Sequence, residues 1–274
     1  MFRRQQGRRS AGGLGIRLLI GLVIAGAALA SYFGNREHNA ITNETQHISL
    51  TVDQEIALGL QAAPEMTQQH GGLHPDPAVK ARVEAIGQRI VRQSAAKDTD
   101  YEFQFHTLAD PETINAFALP GGQVFITQGL LSKLQTDGQV AGVLGHEVGH
   151  VVARHGAEHM AKAGLIQGLT GAVGVAAGDV TAQQMAMYVG QMVNMKYGRD
   201  DELESDKLGV RFLAESGYDP RAMIEVMKVL AQASQGGAPP EFFSTHPNPD
   251  RRVERINEAI TQTFPEGLPA GLEP

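Results

Sequence analysis

Apolar residues recur along this chain with different periods, and each stretch predicts a different kind of element. Residues 18–33 read LLIGLVIAGAALASYF, sixteen positions without a charge. Counting Ile16 and tolerating Arg17 extends the run to eighteen, short of the roughly 20 residues that a spanning helix needs and just above a lower limit of about 17. A polar stretch without period, NREHNAITNETQHISL over 35–50, suits a linker. Asp53 is placed to cap a helix over about 53–69, with Ile56, Leu58 and Leu60 among its apolar positions. Asp76-Pro77 is a sharper start signal, an N-cap followed by proline at the first helical position. Val79, Val83, Ile86, Ile90 and Val91 then recur at helical spacing to about Ser94.

The period changes at Tyr101. Tyr101, Phe103 and Phe105 alternate with Glu102, Gln104 and His106, the signature of a half-buried strand. A second run, 115–119, meets Pro120-Gly121-Gly122 and then Gln123 to Thr127, which reads as a hairpin. From Gly129 the pattern is helical almost to the end, with breaks near Gly138, Gly178, Gly198 and Gly217 and a loop over 236–249. The expected fold is α+β, mostly helical, with a small antiparallel sheet. The expected organisation is a leader and membrane segment over 1–35, a linker over 36–52, one domain over 53–263 and a tail over 264–274. The stretch 163–178, AGLIQGLTGAVGVAAG, is the other apolar run, interrupted only by Gln167 and Thr170. It is expected as a packed helix or a flap within the domain rather than a second span. Met185, Met187, Met192 and Met195 are expected to pack in the core or flap.

Charge separates the first segment from the rest. The first 35 residues hold Arg3, Arg4, Arg8, Arg9 and Arg17 and no acid. Removing those five from 23 basic residues leaves 18 against 30 acidic ones, so a net charge of −7 conceals a body at −12. A basic leader before an apolar run sends the downstream chain across the membrane, either behind an anchor or behind a signal peptide cleaved after Ala28-Leu29-Ala30. The acidic body and an aromatic content of 5% without tryptophan argue against a nucleic-acid partner. The chain has no cysteine, which excludes disulfides, thiol nucleophiles and cysteine-ligated metals. Any metal must sit on His, Asp or Glu.

Those residue types come together at His146-Glu147-Val148-Gly149-His150, inside a helical run starting near Asp137. Histidines at i and i+4 share a helix face, so both imidazoles reach one metal ion. The intervening glutamate can take a proton from water polarised by that ion. A third histidine six residues on is absent, because that position is Gly156, and His155 would face about 100° away on a continuous helix. Between Glu158 and Asp200 the sole carboxylate is Asp179. The acidic cluster Asp200, Asp201, Glu202, Glu204 and Asp206 comes next. Glu202 and Asp206 share a helix face; one can bind the metal while the other holds a ligand histidine. Without the first motif the cluster would read as a solvated helix N-terminus. His155 and His159 are expected on an exposed helix face, and His38, His47, His70 and His74 in solvent.

Glu202-Leu203-Glu204-Ser205-Asp206 resembles the Glu-x-x-Ala-Asp motif that follows His-Glu-x-x-His in CaaX prenyl protease and HtpX-type zinc peptidases, which are gluzincins; Ser205 replaces the usual alanine. Asn115-Ala116-Phe117-Ala118-Leu119-Pro120-Gly121-Gly122 resembles that family's strand beside the active-site helix. His246-Pro247 with Arg252 resembles its late His-Pro…Arg motif. The resemblance spans roughly 109–256 and is greatest to BepA-like bacterial envelope members, whose helical repeats are not expected in the sequence to Pro274. It implies one Zn2+ per chain on His146, His150 and Glu202, with Asp206 orienting a ligand. It further implies Glu147 as general base, and His246 and Arg252 as oxyanion donors. Tyr197 is a weaker donor candidate. Asn115, Ala116, Phe117, Ala118 and Leu119 are expected to pair with an extended substrate. The function implied is an endopeptidase acting on misfolded or misassembled envelope proteins. The body is expected on the extracytoplasmic side, anchored in the inner membrane or released to the periplasm. The alternative is a latent or chaperone-like peptide-binding protein using the same groove.

Overall fold

A computed structural model describes residues 11–177, 197–235, 239–247 and 251–274. Arg3, Arg4, Arg8, Arg9 and the four methionines from Met185 to Met195 lie outside them. Helix α1, Ala11–Gly34, includes a 21-residue stretch, Leu14–Gly34, of mean hydropathy 2.1. It is the one helix among the described residues long and apolar enough to cross a membrane by length and composition. Its leucines face outward; Leu22 is 71% exposed.

Within the expected linker, β1 (Arg36–Asn39) and β2 (Glu44–His47) form an antiparallel hairpin. The Asn39 side chain accepts from the amides of Ile41 and Thr42, which sets its turn. His47 stacks on Tyr32 at 4.6 Å and its Nδ1 contacts the Tyr32 carbonyl at 2.9 Å, so the hairpin is fastened to the end of α1.

Helix α2 (Val52–Gln69) is capped by Thr51, two residues before the expected Asp53, because Thr51 and Gln54 close a reciprocal capping box. Helix α3 (Pro77–Gln93) starts at the Asp76 cap, whose carboxylate accepts from the Ala78 amide at 2.8 Å. The short strands β3 (Gln104–Leu108), β4 (Ala116–Leu119) and β5 (Gln123–Thr127) form one sheet in the order β3-β5-β4. The β4–β5 hairpin is antiparallel as expected, but β3 pairs parallel to β5. The sheet is therefore mixed, since the loop after β3 carries the chain past β5 to the far edge. Gly121 takes φ +81° at the hairpin turn, and Ile56 of α2 packs so close that a Cβ there would lie 2.4 Å from its Cα.

One turn, α4 (Gln128–Leu131), leads to α5, Asp137–Val152, capped by Thr136. Helix α5 is buried from Val140 to Val152, enclosed by α3, the sheet, α7 (Arg199–Glu215) and α8 (Ala222–Ser234). Gly149 lets α7 approach: a Cβ there would sit 3.0 Å from the Ser205 carbonyl oxygen. Arg154 at φ 56° breaks the chain between α5 and α6, His155–Ala177. The stretch 163–177 is helical, but it packs on α1, outside the domain in which it was expected to pack, with Gly168 against Ala28; Gly178 lies outside the described residues. The short α9 (Phe242–Thr245) and α10 (Arg252–Thr263) complete the domain. The tail is docked, with the Gly138 amide donating to the Pro274 carbonyl and Arg89 pairing with Glu273.

Candidate active site

Three helices and one loop deliver the site. Helix α5 carries His146, Glu147 and His150, α7 carries Glu202 and Asp206, the turn after α9 carries His246 and α10 starts with Arg252. All seven are buried. The Nε2 atoms of His146 and His150 are 3.1 Å apart. Glu202 reaches both, Oε2 at 3.4 Å from His146 Nε2 and Oε1 at 3.4 Å from His150 Nε2. His246 Nδ1 is 3.0 Å from Glu202 Oε1, and its Nε2 is 3.5 Å from Glu147 Oε1. One donor atom from each of His146, His150, Glu202 and His246 falls within 4.8 Å of the other three.

A second ring holds these groups. Asp206 Oδ1 is 3.0 Å from His146 Nδ1, and Arg252 donates to both oxygens of Asp206 at 2.8 Å. Arg252 Nη1 lies 3.1 Å from Glu202 Oε2. Glu202 and Asp206, four apart on α7, thus contact opposite nitrogens of the His146 imidazole.

Electrostatics follow from burying so many charges together. Burial drives Glu202 up, but His246, His146 and His150 outweigh it and hold the carboxylate far below its ordinary range. Asp206 is pushed up by burial and pulled below its usual value by Arg252 and His146. Burial raises Glu147, which suits a group that must both take and return a proton. Burial lowers His150. It also lowers His146, yet hydrogen bonds donated by the ring to Asp206 and Glu202 overcome it and bring the ring up to about 9. A proton on His146 thereby stands where carboxylates want positive charge.

The donor set fits a divalent cation. With neutral histidines, the buried carboxylates Glu147, Glu202 and Asp206 face one buried guanidinium, Arg252, leaving two negative charges. Glu147 Oε1 and Oε2, Glu202 Oε2 and His246 Nε2 are buried without a hydrogen-bond partner, a costly state unless something positive sits among them. Two imidazole nitrogens and a carboxylate are an ordinary set for zinc.

Sequence reasoning missed His155. Instead of lying on an exposed face it is buried, with Nδ1 2.9 Å from His150 Nδ1 and Nε2 2.9 Å from Glu204 Oε2. The left-handed Arg154 ends α5 and swings His155 back, so the two histidines do not share one continuous helix. His159 pairs likewise with Asp201 at 2.7 Å. Tyr197 stacks on His150 at 3.9 Å, and Phe242 stacks on His246 at 4.4 Å. Away from the site, His70 contacts Asp110 at 3.2 Å and is half-buried rather than solvated.

Strand β4 is the edge of its sheet and packs beside α5. Ala116, Phe117, Ala118 and Leu119 are buried, and Asn115 donates to Glu241 at 3.2 Å. A small cleft lined by Ala118, Leu119, His150, Arg154 and Tyr197 lies between the end of the strand and His150.

A family model described as peptidase family M48 matches residues 77–260. The chain is 30% identical over 250 residues to mitochondrial metalloendopeptidase OMA1 of Schizosaccharomyces pombe, covering 89% of this chain and 72% of the relative. It is 30% identical over 227 residues to beta-barrel assembly-enhancing protease of Escherichia coli, covering 79% of this chain and 46% of that relative. The putative beta-barrel assembly-enhancing protease of Vibrio cholerae matches at 30% over 235 residues, 82% of this chain and 48% of the relative. The chain thus spans about half the length of the assembly-enhancing relatives it matches.

Proposed function

The chain belongs to peptidase family M48, and from that premise we propose that it is a zinc-dependent endopeptidase cutting misfolded or misassembled proteins of the bacterial envelope. One observation carries the reading: His146, His150 and Glu202 converge beside Glu147, whose two oxygens are buried without a partner. A zinc ion held by those three residues supplies a Lewis acid that acidifies water and polarises the scissile carbonyl. Glu147 takes the proton of the attacking water and returns it to the departing amine. Asp206, braced by Arg252, fixes the tautomer and angle of His146. The edge strand 115–119 pairs with an extended substrate backbone, which selects for unfolded chain rather than for sequence. Helix α1 anchors the enzyme in the inner membrane with the body on the extracytoplasmic side, or is removed as a signal.

A second reading concerns His246. It brings a fourth donor atom into the metal set and is fully buried, and the segment carrying it lies over β4 through the Asn115–Glu241 contact and the Phe242 amide donating to Ile114. This arrangement fits a latent enzyme in which His246 closes the site until a substrate displaces it. Casein cleavage by the full-length protein in detergent micelles tests both readings. Chelator-sensitive cleavage supports the peptidase, and none by wild type or His246→Ala with zinc present supports peptide binding alone. Faster cleavage by His246→Ala identifies a latch, whereas slower cleavage identifies an oxyanion donor.

A further inference from the structure

Helices α1 and α6 pack against each other along much of their length. Along α1 the less exposed positions Gly21, Ile24, Ala25, Ala28 and Tyr32 form one helical stripe, while Leu22, Val23 and Leu29 face out. Ala161, Gly164, Leu165, Gly168 and Ala172 form the matching stripe on α6. Ala28 meets Gly168, and Tyr32 and Asn35 line a cavity of about 260 Å³ with Ala161, Gly164 and Leu165. Higher numbers on one helix thus meet lower numbers on the other, and the helices run antiparallel.

Equal rise along both helices then sets the levels. Lys162 lies six residues before Gly168, so it stands level with Gly34, six residues after Ala28 and the last residue of the apolar span. From Lys162 to Asp179 the sequence has no charge. The acidic residue of α6 sits on the other side of that level, where Glu158 accepts from the His47 amide in the hairpin. Gln167 and Thr170 are the polar but uncharged side chains below it, Thr170 bonding the Ile166 carbonyl of its own helix. At the level itself the cavity is walled by Ser31, Tyr32, Asn35 and His47, a composition suited to the headgroup zone. Below it the outward face of α6 carries Ile166, 63% exposed, which water would penalise and lipid would not.

We propose that residues 163–177 of α6 are embedded in the same bilayer as α1, with Ile166 facing lipid. This rests on α1 being a membrane helix and goes beyond it by adding a second buried element. Fifteen uncharged residues, 163–177, give about 22 Å of helix, short of the roughly 30 Å hydrocarbon core, so α6 enters the membrane without needing to cross it. His155, which supports His150, then lies seven residues above the boundary, about 10 Å along the helix. The metal set is held at that height by two helices rather than swinging on one.

The absence of native cysteine makes the test clean. Single cysteines replacing Ile166, Thr170, Leu22 and the exposed Lys228 are labelled with an environment-sensitive fluorophore. The full-length protein is reconstituted in phosphatidylethanolamine–phosphatidylglycerol vesicles with or without doxyl-labelled lipid. The expected result is about a twofold or greater loss of fluorescence from the label at 166 with doxyl lipid, matching that at 22, while the label at 228 is unchanged. Thr170→Cys supplies a second α6 position should the first variant misfold. Quenching at 22 without quenching at 166 or 170 overturns the proposal and leaves the anchor in place. Quenching at none of the three overturns both.

Discussion

Replacing Arg252 by methionine removes the one buried cation among the site's carboxylates while nearly conserving volume. Arg252 is 3% exposed and makes two hydrogen bonds of 2.8 Å to Asp206, itself 2% exposed, with Glu202 at 0% exposure 3.1 Å from Nη1. Breaking a buried pair by deleting one partner costs about 3–5 kcal/mol, because the orphaned charge stays in low dielectric. Methionine fills the space flexibly, so the packing loss is small beside this. In the apo protein, where His146 holds a proton, the uncompensated charge grows from one to two, and with a bound dication and neutral histidines it grows from none to one. The loss is therefore expected near about 5 kcal/mol with chelator and about 3 kcal/mol with zinc. At roughly 2–4 °C per kcal/mol for a domain of this size, the melting temperature falls by about 10–20 °C with chelator and about 6–12 °C with zinc. Circular dichroism melts of the full-length protein in detergent read both numbers. A variant melting within about 2 °C of wild type in both conditions, or losing more with zinc than without, refutes the charge accounting.

Three further outcomes are expected. His155→Ala and Glu204→Gln should each weaken zinc binding about 10–100-fold in competition with a chelating dye, and their combination should be no worse than either, because both act through His150 Nδ1. Asn39→Ala and Gln46→Ala each free a terminal carbonyl of α5, at Val152 and Ala153. Each should cost about 1 kcal/mol and speed amide exchange at the end of that helix. Burial raises the Asp110 carboxyl, but hydrogen bonds from Thr113, His70 and Glu112 outweigh it and bring it down to about 2. Since the folded value lies below the ordinary 3.8, Asp110 stabilises fully above that value and loses its contribution as pH falls through about 2. Asp110→Asn should therefore cost about 1 kcal/mol near neutral pH, discounted for solvent screening, and almost nothing below about pH 2 in urea titrations.

How legible each feature was in the sequence depends on the range over which it is determined. Helix α5 was legible because its motif, its apolar support and its polar start lie within one helical run. Glu202 and Asp206 were legible through a spacing of four on a single helix, and Asp76-Pro77 through a local cap. His155 was hidden because its direction depends on one left-handed residue, Arg154, whose conformation is held by distant partners: Glu55, Glu37 and the Leu50 carbonyl. The hairpin over 36–47 was hidden because its strands are polar and mostly exposed, with Gln46 buried and Asn39 and His47 half-buried. Its stability comes from contacts more than 100 residues away in sequence, to the end of α5. The alternation from Tyr101 announced a strand, but its parallel partner is chosen by the path of the loop after it, which no local pattern encodes. Apolarity of 163–177 was plain; that its partner would be α1 was not.

Glu147 carries the central claim, since it alone among the site residues is assigned to moving the proton rather than to holding the metal. The direct measurement is zinc content and casein cleavage of Glu147→Gln, side by side with the same determination on wild type or, if wild type is latent, on the His246→Ala background. The account predicts about one zinc per chain retained and cleavage reduced at least about 10²-fold. Cleavage at the parent rate with zinc bound contradicts it.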